Sequence, residues 1–102
     1  MSNFKNAHKA LVSRILEGEG RASRVQRRGA FDNARLGEPM GTLVSKVAEQ
    51  PTNVTDEDFA AARASGLSED QIFEMVVSAA IGQATRQYNT ALTALAAAMG
   101  KE

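Results

Sequence analysis

The sequence predicts an all-α protein, a small helical bundle of about five helices in which the last helix is much longer than the others. Apolar residues recur at spacings of three and four along most of the chain. Two complete helix-start signals lie thirteen residues apart, at Thr55 and Ser68, and no alternating strand pattern competes with them. At 102 residues the chain has room for one domain, residues 1–102.

The first two predicted helices lie in the basic N-terminal part of the chain. The apolar face of the first helix is expected to comprise Phe4, Ala7, Leu11 and Ile15. Gly18 and Gly20 then predict its end. We expect a second helix within residues 21–35, where five arginines accompany only two sizeable apolar residues, Val25 and Phe31.

The third predicted helix follows Gly37 and has Pro39 at its first position, where the fixed φ of proline suits a helix start. Its apolar stripe consists of Met40, Leu43, Val44 and Val47. The helix should end by Gln50, because Pro51 disfavours helical geometry in the residue before it.

A short fourth helix is predicted from its start signal. Thr55 is the expected N-cap, and three acidic residues after it favour the positive end of a helix. Val54 is placed to pack onto Phe59 as a hydrophobic staple. Gly66 predicts the end of this helix in a left-handed conformation.

The same start signal returns at once and opens the last helix. Ser68 is the expected N-cap, Gln71 closes a capping box, and Leu67 can pack onto Ile72. A helix from Glu69 to Met99 would be roughly 46 Å long, whereas a compact domain of this size has a radius of gyration of about 13 Å. This helix therefore bends, breaks or projects towards a partner.

Gly82 is the candidate position for a break, although a glycine in mid-helix equally permits close helix packing. Spacings of four and three along the last helix define a heptad-like seam of Val77, Ile81, Ala84, Tyr88, Ala91, Leu95 and Ala98. The seam has two interpretations, a core seam inside one monomer or an interface between subunits. Its small residues suit close packing in either case.

Charge is divided between the two halves of the chain, although the total is zero. Residues 1–50 hold nine Lys/Arg and five Asp/Glu, and residues 51–102 hold three and seven. A basic stripe that could bind phosphate or an acidic protein partner is formed by Arg21, Arg24, Arg28 and Arg35. The alternative is a solvated face that pairs with acids such as those in Asp56–Asp58. No aromatic residues interleave with these arginines, so we do not expect nucleic-acid binding.

The chain has no cysteine and one histidine, which excludes thiol catalysis, disulfides and thiolate metal sites. His8 and Glu74 are the weak candidates for acid–base catalysis, His8 because it titrates near neutral pH and Glu74 because it lies in an apolar stretch. The alternatives are a packing histidine and a solvated carboxylate. No metal site or cofactor is expected, since adjacent acids such as Asp56–Asp58 point in different directions on a helix.

No apolar run near the N-terminus is typical of a secretory signal, and Glu74 and Gln83 interrupt the most apolar stretch, 72–84. We therefore expect a cytoplasmic protein without a membrane span.

The segment Val-Thr-Asp-Glu-Asp-Phe-Ala-Ala-Ala-Arg-Ala-Ser-Gly-Leu-Ser-Glu-Asp-Gln-Ile-Phe-Glu-Met-Val-Val-Ser-Ala-Ala-Ile-Gly, residues 54–82, resembles the C-terminal part of the AhpD-like, or carboxymuconolactone decarboxylase-like, family. Residues 84–92 are similar to the closing helix of that family. The likeness extends over roughly residues 38–99 and leaves residues 1–37 as divergent basic helices. It implies an all-helical fold and assembly into an oligomer.

The peroxidase branch of this family carries a Cys-x-x-Cys pair, which this chain lacks. Because the thiolate is the nucleophile of that chemistry, peroxidase activity is not expected. The resemblance thus implies a non-peroxidatic oligomeric binding or scaffold module. The alternative is a thiol-independent, decarboxylase-like enzyme for a small organic acid, in which His8 or Glu74 moves protons.

Overall fold

The computed structural model describes residues 2–100, with side chains from residue 5 onwards. Within this range the chain is all-helical, with no β-strand, and its last helix is the longest. The elements are α1 (Ser2–Glu17), α2 (Arg24–Phe31), α3 (Met40–Glu49), a 3₁₀ turn (Pro51–Asn53), α4 (Asp56–Ala64) and α5 (Glu69–Ala98). The predicted fold class of about five helices is confirmed, and Gly100 follows α5 with φ +72°.

The two predicted helix starts are both present as complete capping boxes. The Thr55 hydroxyl accepts from the backbone N–H of Asp58, whose carboxylate accepts from the backbone N–H of Thr55 at 2.9 Å. Ser68 and Gln71 make the equivalent pair at the start of α5. Gly66 adopts φ +106° after α4, as a left-handed helix end requires.

A third capping box, which the sequence analysis missed, opens α2. Ser23 is the N-cap, and the side-chain oxygen of Gln26 accepts from the backbone N–H of Ser23 at 2.9 Å. The signal was available as a serine followed three residues later by a glutamine. This cap sets the start of α2 at Arg24, and the helix ends at Phe31, so α2 is shorter than the segment 21–35 in which we expected a helix.

The start of α3 differs slightly from the prediction. Pro39 precedes the helix and is joined to Glu38 by a cis peptide bond. The Glu38 carboxylate accepts from both the backbone N–H and the hydroxyl of Thr42, at 2.9 and 2.7 Å. These hydrogen bonds lower the pKa of Glu38. Helix α3 ends at Glu49, as expected from Pro51.

The core lies where α2, α3 and α4 pack against the first half of α5. Leu43 and Val44 of α3 are among its most completely buried side chains. The buried cluster consists of Ala22, Ala30, Met40, Leu43, Val44, Ala62, Ile72, Met75 and Ala79. Removal of this apolar surface from water is the main stabilising contribution to the fold.

Helix α5 is unbroken at Gly82, so the expectation of a break there is wrong and its alternative, close packing, is correct. A β-carbon at Gly82 would overlap the backbone carbonyl of Phe31 at the end of α2. The Arg86 guanidinium donates to that same carbonyl oxygen at 2.6 Å. Glycine is needed at this position because two helices cross in contact.

Beyond the contact between Arg86 and the end of α2, the second half of α5 is accompanied by α1. The two helices run antiparallel, since Ile15 lies near Val77 whereas His8 contacts Thr85 and Tyr88 farther along α5. We call this pair, α1 with residues 84–98, the arm. The molecule measures 51 × 29 × 19 Å with a radius of gyration of 15.3 Å, larger than the roughly 13 Å of a compact 100-residue domain.

The buried face of α1 is rotated from the predicted one. Ala7 and Leu11 are exposed, and Leu11 retains 42% of its accessible surface. The inward side chains are instead His8, Val12, Ile15 and Leu16. The predicted Phe4 side chain lies outside the described residues. The rotation arises because His8 hydrogen-bonds Thr85 and Leu16 is buried at the other end of the helix.

Candidate functional site

The predicted seam on α5 is divided between two environments. Val77, Ile81 and Tyr88 are half-buried, whereas Ala84, Ala91 and Leu95 are exposed. Since the Tyr88 ring lies 5.7 Å from His8 of α1, the first group belongs to the contact with α1. The second group faces away from the described chain.

An exposed apolar stripe runs along α5 through this second group. We define the stripe as Phe73, Ala80, Ala84, Ala91, Leu95 and Ala98. Successive members are separated by seven, four or three residues, which keeps them on one helix face. Phe73 and Leu95 are its large members, with 67% and 55% of their surfaces accessible. The sequence analysis missed Phe73, although extending the seam by four residues before Val77 would have found it.

A groove lies between α4 and the first turns of α5, next to the stripe. Its apolar lining consists of Phe59, Ile72, Phe73 and Val76, and its volume is about 640 Å³. An ion pair at 3.1 Å between Arg63 and Glu69 lies at its edge. Val54 packs against the core, but Phe59 remains partly exposed at the groove. The groove therefore offers two aromatic side chains to a partner.

Glu74 joins α5 to the segment before α2. Its carboxylate accepts from the backbone N–H groups of Arg21 and Ala22, at 2.9 and 2.8 Å. Burial acts to raise the pKa of Glu74, but these two hydrogen bonds and the charges of Arg27 and Arg21 outweigh it, and the net pKa is lowered. Glu74 is thus neither a solvated carboxylate nor a general acid with a raised pKa.

Arg27 is a buried arginine that the sequence analysis did not single out. It keeps only 5% of its surface accessible, and its guanidinium donates to the backbone carbonyl of Ile15 at 3.0 Å. It lines a small cavity of about 180 Å³ together with Arg14 and Glu74. Arg27 satisfies the Ile15 carbonyl oxygen in the last turn of α1 and links that helix to α2.

His8 does not share a site with Glu74. It is half-buried, with its Nε2 atom 3.1 Å from the Thr85 hydroxyl. Thr85 lies eleven residues after Glu74 in one continuous helix, which corresponds to roughly 16 Å. The two candidate acid–base groups are therefore far apart, and His8 has the surroundings of a packing residue.

The four arginines of the predicted basic stripe do not lie on one helix. Only Arg24 and Arg28 belong to α2, whereas Arg21 precedes it and Arg35 follows it. The Arg24 side chain donates to the Glu17 carbonyl, and Arg35 lines a shallow cavity of about 410 Å³ beside α3. The structure leaves a basic region around α2 rather than a heptad-spaced stripe.

The acidic residues of α4 were expected to pair with the arginines of the basic stripe, but Asp58 pairs with a lysine instead. Asp58 pairs with Lys46 of α3 at 3.0 Å, and Arg28 pairs with Asp32 four residues along the chain. Hydrogen bonds from the Thr55 backbone and from Lys46 lower the pKa of Asp58. Pairing between the arginines and Asp58 is thus not observed.

Over residues 2–100, no cluster of three or more acidic or histidine side chains is arranged to bind a metal ion. In the same part of the chain, no helix combines the length and the apolar character needed to cross a membrane.

Comparison with known proteins identifies no relative: no protein-family model, no curated protein and no solved structure matches this chain. The helices alone establish the all-α fold class, and the exposed surface of the molecule is the basis for the proposed function.

Proposed function

We propose that the protein is a homo-oligomeric helical module, a binding or scaffold protein that assembles through α5. The single observation that carries this proposal is the exposed apolar stripe along α5. A helix of 30 residues extends beyond the core, and α1 accompanies one side of its second half. Such a face is stabilised when it packs against another helix.

The large side chains at the two ends of the stripe support this proposal. Single exposed apolar residues are ordinary on protein surfaces, but contiguous apolar surface indicates an interaction site. Phe73 and Leu95 flank a run of alanines, and the Phe59 groove is continuous with Phe73. The alanines permit close approach of a second helix, and the larger side chains supply most of the buried apolar area.

A finer part of the proposal is descent from the AhpD-like, or carboxymuconolactone decarboxylase-like, family as a non-peroxidatic member. The capped corner between α4 and α5 and the long final helix are the features in its favour. Without cysteine, the protein should not reduce peroxides.

Ala84→Glu tests the oligomer, because Ala84 is central in the stripe and exposed in the single chain. We expect wild-type protein at micromolar concentration to have the mass of an oligomer by size-exclusion chromatography with light scattering. The variant should be monomeric and fully helical by circular dichroism, because a charge in the interface lacks a partner.

Thr90→Glu is the matched control for this experiment. Thr90 is exposed and lies six residues after Ala84, which places it about 120° around the helix from the stripe. This control should keep the wild-type mass. A monomeric wild-type protein, or an unchanged mass for Ala84→Glu, would refute the proposal.

The alternative function, a thiol-independent enzyme for a small organic acid, is favoured by one observation. Arg14, Arg27 and Glu74 line the same small cavity, which would allow an arginine to bind a carboxylate near Glu74. The hydrogen bonds from Arg21 and Ala22 count against it, because they engage the Glu74 carboxylate and hold its pKa low. We therefore rank it second, above binding of an acidic protein at the basic region of α2.

A further inference from the structure

The geometry points to one particular assembly: two copies pair antiparallel along α5 about Ala84, and the last turns of one copy's α5 lie beside Phe73 and along the groove next to Phe59 of the other. This inference rests on the proposed function, because it requires self-association through α5. It adds the direction of the helices, their register and the occupant of the groove.

The register follows from the positions of the large side chains in the stripe. Phe73 lies eleven residues before Ala84, and Leu95 lies eleven residues after it. A twofold axis at Ala84 therefore brings each Phe73 level with the Leu95 of the other copy. Phe73 of one copy therefore lies beside Leu95 of the other at both ends of the contact, and the two Ala84 residues lie together at its centre.

A parallel pair would match the stripe less well. In that arrangement each residue lies level with its own counterpart, so Phe73 would face Phe73 and Leu95 would face Leu95. The groove would then lie beside the start of the second α5, where Glu69 and Asp70 would bring like charges together. The antiparallel register places a neutral segment there, since residues 87–98 contain no charged side chain.

The groove adjoins the stripe at Phe73 and is mainly apolar inside. It is about 640 Å³ in volume, lies between the side chains of Phe59 and Phe73, and is also lined by Asp56, Arg63 and Glu69. The last turns of α5 are rich in alanine and have no other described element packed over their stripe face. The occupant therefore comes from a second copy of this chain and from the end of its longest helix.

The antiparallel pair also sets the number of helices in the assembly. Each copy contributes the α1 that flanks its α5, so the two arms together form an arrangement of four helices. Such an arrangement buries apolar faces that two helices alone leave in contact with water.

Spin labels measure the direction of the helices, and the absence of native cysteine makes single labelling straightforward. Ala97 is exposed and outside the stripe, thirteen residues after Ala84. Labels on Ala97→Cys should be separated by roughly 39 Å or more in the antiparallel pair, from twice thirteen residues of rise. In a parallel pair they would be within about 20 Å, since helix axes pack about 8–10 Å apart.

Gln87→Cys is the matched label. It lies three residues from Ala84, so its two labels should be close to each other and report a short distance in the dimer. A short Gln87 distance combined with a long Ala97 distance supports the inference. Short distances at both positions would overturn the register but leave the proposed oligomer intact. The absence of any intermolecular distance would instead refute the oligomer itself.

Phe59→Ala tests whether the groove is occupied, because Phe59 lies on α4 rather than on α5. We expect this variant to weaken the dimer by about tenfold in dissociation constant, as is typical of an aromatic side chain at an interface. Val25→Ala is the control, since Val25 is 82% exposed on α2 away from the groove. Equal dissociation constants for the two variants would overturn the placement of the α5 end in the groove.

Discussion

The two halves of α5 have the same helical conformation but very different surroundings. All the buried residues of α5 lie between Ile72 and Gly82, and none follows Gly82. The first half is covered by α2, α3 and α4, whereas the second half packs on α1 and touches the end of α2 only through Arg86. The comparison shows that a continuous apolar pattern along one helix can stabilise the monomer at one end and remain available for assembly at the other.

The largest expected difference between the two regions is the effect of shortening a leucine. Leu43→Ala in the core should lower the free energy of unfolding by about 3 kcal/mol, because Leu43 is fully buried and its loss leaves a cavity. Leu95→Ala, measured on dilute monomer, should change it by less than about 0.5 kcal/mol. Urea denaturation of both variants provides the measurement. Equal losses would show that the arm contributes to the monomer core.

Gly82→Ala tests the boundary between the two halves, where the end of α2 crosses α5. The added β-carbon overlaps the Phe31 carbonyl, so α2 must shift, and we expect a net loss of about 2 kcal/mol by thermal or urea denaturation. The loss is net because the cost of the clash exceeds the roughly 1 kcal/mol that alanine gains over glycine in helix propensity. Gly37→Ala is the control, because no atom lies within 4 Å of its added carbon. A stabilised Gly82→Ala would contradict the close crossing.

Glu74→Gln removes the carboxylate that holds the start of α2 against α5. The variant should lose about 1–2 kcal/mol at neutral pH, because the uncharged Gln amide has one acceptor oxygen and leaves one of the two backbone N–H groups without an acceptor. Because folding lowers the pKa of Glu74, its contribution is present above the ordinary carboxyl value of 4.5 and is lost as the pH falls below it. Urea denaturation at several pH values should therefore show a smaller acid-dependent loss in the variant.

Glu57→Gln is the control for this measurement. Glu57 is exposed on α4, and its replacement should change the free energy of unfolding at neutral pH by less than about 0.5 kcal/mol. If Glu74→Gln behaves like Glu57→Gln, the carboxylate does not stabilise the contact between α2 and α5.

Much of the fold could be predicted because its signals are local. The capping boxes at Thr55 and Ser68 use side chains within three residues of the backbone groups they bind, so sequence spacing was enough to find them. The left-handed conformation of Gly66 after α4 and the end of α3 before Pro51 also depend on single residues at the helix ends. The box at Ser23 has the same signal and could have been found in the same way.

The candidate site could be predicted only in part, since it depends on contacts between residues distant in sequence. Periodicity placed Ala84, Ala91 and Leu95 on one face of α5, but it did not show that α1 covers Val77 and Tyr88 and leaves the others exposed. The groove between Phe59 and Phe73 arises from the angle between α4 and α5. The pairing of Glu74 with the backbone amides of Arg21 and Ala22 spans more than 50 residues of chain.

Local sequence signals were sufficient to assign the helical segments and most of their starts and stops, and composition alone excluded thiol chemistry. These properties depend on backbone propensity, capping and composition, which act over a few residues. The packed helices were needed to show that Gly82 is a crossing point, that Glu74 is a structural carboxylate and that one face of α5 remains exposed. Those outcomes depend on which helices pack against α5. Burial and hydrogen bonding between residues distant in sequence follow from that packing and not from local spacing.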